Sequence, residues 1–146
     1  MLLIREEAVD RMRRDHDAML DLIRRIQALC SEQDRGDDCS CCSDDRRAFC
    51  RSHVEQLVRA FVEATLKHNA MESLYMDDGV PELHRRAHNR AHMAIAEQLK
   101  SIRIVLASDG NTVRAIEGVD EVLAALSTHF VEFDGHLQRY LMAPAA

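Results

Sequence analysis

The run His88, His92, Ile95, Leu99, Ile102 and Leu106 advances in steps of four, three, four, three and four residues. That rhythm tracks one face of an α-helix and no face of a strand. It also sets two imidazoles among four aliphatic side chains on a face that must be buried. Three other segments carry the same mixture. Val9, Met12, His16, Met19, Leu20, Ile23, Ile26 and Cys30 form one stripe, and Val54, Leu57, Phe61, Ala64, His68 and Glu72 form another. Val119, Val122, Leu126, His129, Phe133 and Leu137 form the third. The spacing predicts helices over about 5–30, 44–76, 81–107 and 112–141.

Two prolines and five glycines in 146 residues leave few places for the chain to break. Gly36, Gly79 and Gly110 fall between the periodic segments, and Pro81-Glu82 suits the first turn of the third helix. The length fits a single domain, residues 1–146. Short connections at Gly79 and Gly110 imply an all-α, up-down-up-down antiparallel four-helix bundle.

Such a bundle brings the polar members of the stripes to one level. His92 lies about as far before the end of the third helix as His129 lies after the start of the fourth. His68 and Glu72 close the second helix while His88 and His92 open the third, and the long first helix carries His16 to the same height. A lone core histidine is usually structural, but a buried carboxylate such as Glu72 needs a cation or a metal beside it. The convergence of His16, His68, Glu72, His88, His92, His129 and Asp134 makes the whole set candidate metal ligands. Asp134 follows His129 by five residues, one turn on and off the axis of the stripe. Periodicity alone leaves His84/His88 and His88/His92 both open, since His84 and His92 drift about 40° to either side of His88. His53 lies roughly 22 Å along the axis from His68 and reads as surface.

Taken together, one histidine on the first helix, His68-Asn-Ala-Met-Glu72, His88-Asn-Arg-Ala-His92 and His129-Phe-Val-Glu-Phe-Asp134 resemble the hemerythrin family. Leu137-Gln-Arg-Tyr-Leu141 resembles the tail of its fourth helix. The ferritin-type alternative would need Glu-x-x-His pairs, and the chain has none. The resemblance implies two iron ions (Fe2+/Fe3+) joined by Glu72, Asp134 and an oxo or hydroxo bridge. His88, His92 and His129 would bind one iron, and His16 and His68 the other, leaving it one open position. A protein that binds dioxygen or another small diatomic ligand there, as carrier, store, scavenger or sensor, is the expected function, rather than an enzyme. A di-iron enzyme reducing oxygen, peroxide or nitric oxide, or a redox- or iron-responsive signalling module, is the alternative. With no Trp, two Tyr and four Phe, the chain has few rings to line such a site.

The net charge of -6 argues against nucleic acid, which would want a basic face. No apolar run approaches the roughly 20 residues that span a bilayer, and MLLIREEA meets charge too soon for a secretory signal. A soluble, cytoplasmic protein is expected. Cys30, Cys39, Cys41, Cys42 and Cys50 cluster in and beside the loop 31–43. Their odd number argues against a disulfide framework, and C-x-C-C fits zinc spacing poorly. Cys30 and Cys50 continue buried stripes and read as plain core thiols. For Cys39, Cys41 and Cys42 bland loop residues, redox-responsive thiols and a metal site all stay open, at the end of the bundle away from the histidines.

Overall fold

The computed structural model describes residues 2–30, 42–77, 79–108 and 112–143, with side chains from Arg5 onward. Its helices are α1 (Leu2–Ala28), α2 (Asp44–Tyr75), α3 (Glu82–Ser108), α4 (Thr112–His129) and α5 (Gly135–Met142). A π-helical turn, Phe130–Asp134, joins α4 to α5, so these two elements and the turn make one fourth rod. There is no strand among the described residues. The result is an all-helical bundle in which α1 and α3 each pack against both α2 and α4.

Local chemistry sets the ends of the rods. Ser43 caps α2, its hydroxyl accepting from the Arg46 amide at 3.2 Å, and Asp44 and Asp45 place negative charge on the first turn. After α2 the chain turns at Gly79, whose φ of +76° is one that side-chain-bearing residues rarely adopt. Thr112, at the start of α4, is buried.

Two apolar clusters fill the interior. The larger joins Met19, Ile23 and Ile26 of α1 to Val54, Val58 and Phe61 of α2, the aliphatic stripe of α3, and Ala115 to Leu126 of α4. The smaller holds Ala8, Val9 and Met12 together with Met76, Val80, Leu137 and Leu141. Between them lies a buried layer of histidines and carboxylates.

The α3 stripe is buried as its periodicity implies: His88, His92, Ile95, Leu99, Ile102 and Leu106. On α2 the stripe is broader than expected. Val58 and Thr65 are buried while Leu57 and Ala64 are half-buried, because this helix meets neighbours on more than one side. On the fourth rod the expectation for Phe133 needs correction. It is half-buried, and its neighbour Asp134 takes the inward place, because the π turn adds a residue before the stripe resumes at Leu137. Cys30 packs against the larger cluster, Cys42 and Cys50 are half-buried, and Cys39 and Cys41 lie outside the described residues. No helix among the described residues is long and apolar enough to cross a membrane.

Candidate metal centre

Each rod brings its polar residues inward by its own period. On α2, His68 and Glu72 are one turn apart, and His68 Nε2 lies 3.0 Å from Glu72 Oε1. On α3, His88 and His92 repeat that spacing with ring centroids 4.4 Å apart. On the fourth rod the π turn aligns His129 with Asp134, placing His129 Nε2 2.9 Å from Asp134 Oδ1. α1 contributes His16, whose Nε2 lies 2.7 Å from Asp134 Oδ2.

All seven residues singled out by spacing fall in one layer. Glu72, His88, His92, His129 and Asp134 form one group, and His16, His68, Glu72 and Asp134 form a second. Within each group the candidate ligand atoms lie within 4.8 Å of one another. His84 stays out of both groups. Its Nε2 lies 2.9 Å from His88 Nδ1, on the side of that ring away from the carboxylates. His53 is also elsewhere, with Nδ1 2.9 Å from the Phe49 carbonyl.

The carboxylates divide their work. Asp134 Oδ2 faces His16 at 2.7 Å and His68 at 3.6 Å, while its Oδ1 faces His88 and His129, both at 2.9 Å. Glu72 Oε1 is 3.0 Å from His68 and 3.1 Å from His92, and its Oε2 has no hydrogen-bond partner among the described residues. His68 Nε2 and Asp134 Oδ1 are likewise buried without a properly directed partner, despite charged atoms at 3.0 and 2.9 Å. Closeness without alignment is the geometry of groups that converge on a common centre. Buried polar atoms left in that state are costly, and a cation among them would satisfy several at once.

The electrostatics agree. Burial would raise the Glu72 carboxyl, but His129, His68, His88 and His92 outweigh it and hold the pKa well below the usual range. Asp134 is held down in the same way, against its burial, by His129, His16, His68 and His88. Burial would lower His68, yet Asp134, Glu72 and Asp15 raise it to about 10. His129 is raised to about 9, against its burial, by Asp134 and Glu72. His88 is raised as well, against its burial, by Asp134 and Glu72, so in the metal-free protein imidazolium charge offsets the two carboxylates. His92 goes the other way, lowered by burial and then by His88 and His129.

Several contributors escaped the sequence. Asp15 Oδ2 accepts from His68 Nδ1 at 3.0 Å across the α1–α2 contact. Phe130 stacks on His16 with centroids 3.7 Å apart, and Phe133 lies 5.3 Å from His129 and 5.5 Å from His88. The rings are few, but half of the four phenylalanines wall this layer. The adjacency of Asp15 to His16 is a signal within the sequence, although it does not say which helix the carboxylate faces.

The family described as the hemerythrin HHE cation binding domain matches residues 7–141. No curated protein sequence and no solved structure matches the chain.

Proposed function

The chain belongs to the hemerythrin HHE cation-binding family, and from that premise we propose that it is a non-haem di-iron protein that binds dioxygen reversibly. The observation that carries the reading is the division of Asp134, one oxygen toward His16 and His68 and the other toward His88 and His129. A carboxylate that faces two ligand groups with separate oxygens suits a bridge between two metal ions. Glu72, common to both groups, would be the second bridge. Five imidazoles and two carboxylates, with no thiolate, favour iron over a structural zinc.

In this reading His88, His92 and His129 would hold one iron and His16 and His68 the other, and the second would have fewer protein ligands and room for a small ligand. When bound there, an iron pair would supply the electrons that a small diatomic ligand draws on. The protein's own part is to orient and to exclude. Phe130 against His16 and Phe133 against His88 and His129 keep water from the layer, and Asp15 fixes the His68 ring. An up-down-up-down course of the rods belongs to the same reading. It is supported by the way α1 begins in the smaller cluster and α2 ends beside it.

A second reading has one observation in its favour. His16 is the most solvent-accessible of the seven, with 12 % of its side chain exposed. A wet edge at the sparser iron suits an enzyme reducing oxygen, peroxide or nitric oxide. The test is the visible spectrum of the anaerobically reduced, iron-loaded protein in air and again after oxygen is removed. A colour that comes and goes supports reversible binding; irreversible oxidation with hydrogen peroxide release overturns it in favour of the enzyme.

A further inference from the structure

Two histidines of the layer are held on their far ring nitrogen by side chains outside the seven. His68 Nδ1 meets Asp15 Oδ2 at 3.0 Å, and His88 Nδ1 meets His84 Nε2 at 2.9 Å. His129 Nδ1, by contrast, is buried with no hydrogen-bond partner among the described residues. A neutral histidine that gives Nε2 to a metal carries its proton on Nδ1. In the loaded protein, then, both His68 and His88 donate outward, one to a carboxylate and the other to an imidazole. The distinction has a consequence for the metal, because an anionic acceptor makes the ligating ring a stronger donor than a neutral one does.

The placement of the anion is uneven. Asp15 stands behind the group that has two histidines, and His84 behind the group that has three. Both are built in rather than incidental. Asp15 is half-buried, with Arg11 Nε 4.0 Å from its other oxygen. The ring of His84 is set edge-on against Tyr140 at 5.2 Å and lies 6.5 Å from Phe133.

We propose that Asp15 is a positioning residue whose charge, acting through His68, retains the metal at the two-histidine position without filling its open site. His84 is its neutral counterpart behind His88, fixing ring orientation and tautomer but adding no charge. The inference rests on the two-metal reading and assigns within it the residue that compensates for the missing ligand.

The test is anaerobic titration of ferrous iron into the metal-free full chain, for wild type and for Asp15→Asn, His84→Gln and His84→Phe. Asp15→Asn keeps the size and an acceptor oxygen but loses the charge. It is expected to weaken one of the two binding steps by about 10–100-fold and leave the other in place. His84→Phe is expected to weaken the opposite step, and His84→Gln, which restores an acceptor, to recover it. The isosteric Asp15→Asn and the His84→Gln rescue keep the comparison valid even if His84→Phe folds poorly. Two unaltered steps in Asp15→Asn, or equal weakening of both, would overturn the proposal while leaving the metal pair intact. Fewer than two irons in the wild-type chain would instead overturn the two-metal reading itself.

Discussion

His129 and Asp134 meet at 2.9 Å although five residues separate them. In an α-helix five residues advance about 500°, leaving the second roughly 140° off the face of the first. The turn between them is π-helical instead, with the Gly135 amide donating to the Phe130 carbonyl, and the wider turn returns Asp134 to the face of His129. The irregularity of the fourth rod is therefore what makes its carboxylate available to both groups.

Deleting Val131 tests this directly. Its side chain is 75 % exposed, so the deletion removes little packing. With four steps left between His129 and Asp134 the turn should relax to α geometry, in which four steps advance about 400° and keep Asp134 within about 40° of the face of His129. Iron content should stay at two per chain and far-UV circular dichroism should stay helical. Fewer than two irons per chain in the deletion variant would show that the wide turn does more than absorb the extra residue.

Glu72→Ala should abolish binding of the metal pair. It removes a fully buried carboxylate next to His68 and His92 and leaves the imidazoles without their counter-charge. Breaking one side of such a buried arrangement costs about 3–5 kcal/mol in metal-free stability. Metal analysis and a thermal melt of the metal-free variant check both parts.

The raised histidines give the metal-free protein a distinct pH response. His68 and His129 move from 6.5 to about 10 and about 9 on folding, so their contribution is fully present below 6.5. It is lost progressively as pH rises through 9 and then 10. The lowered Glu72 and Asp134 act in the opposite direction, contributing above the ordinary carboxylate range and failing only in acid. Melting temperature of the metal-free protein should therefore decline on the alkaline side of pH 6.5. The loaded protein, whose coordinated rings are already neutral, should not share that decline. Loading near pH 7 should release protons from these raised histidines, measurable in weak buffer.

Gly118→Ala sets helix propensity against packing. In an exposed helix the change would stabilise by about 1 kcal/mol. Here an added Cβ would sit 2.9 Å from Ile102 Cγ1, where α4 rests on the stripe of α3. Overpacking typically costs about 1–3 kcal/mol, so the net effect should be a lower melting temperature. An unchanged or higher melting point would show that Ile102 has room to move.

Much of this architecture is legible in the sequence, because burial on one face of a helix leaves a period in the chain. The α3 stripe reads off directly from His88 to Leu106. What spacing cannot resolve is a choice between neighbours on one face. His84 and His92 flank His88 equally by period, and only the packing of α3 against α2 and the fourth rod leaves His84 outside the layer. The π turn is also hidden, since Phe133 fits an α-helical stripe better than Asp134 does. The one hint was a carboxylate five residues beyond an inward histidine. Contacts made across helices, such as Asp15 to His68 or Phe130 to His16, have no period at all and appear only when the rods are assembled.

The polar layer also divides the interior into two unequal apolar compartments, the lesser one holding, among the described residues, Ala8, Val9, Met12, Met76, Val80, Leu137 and Leu141. Without metal, that layer is a seam of charge between two greasy blocks, and cooperativity across it must be weak. The lesser block, made from the start of α1, the end of α2 and α5, should open as a unit of its own at a lower free energy than the rest. Amide exchange in α5 would then be fast in the empty protein and slow in the filled one. Occupancy would be reported by the loosening or tightening of one end of the molecule, far from any change in colour.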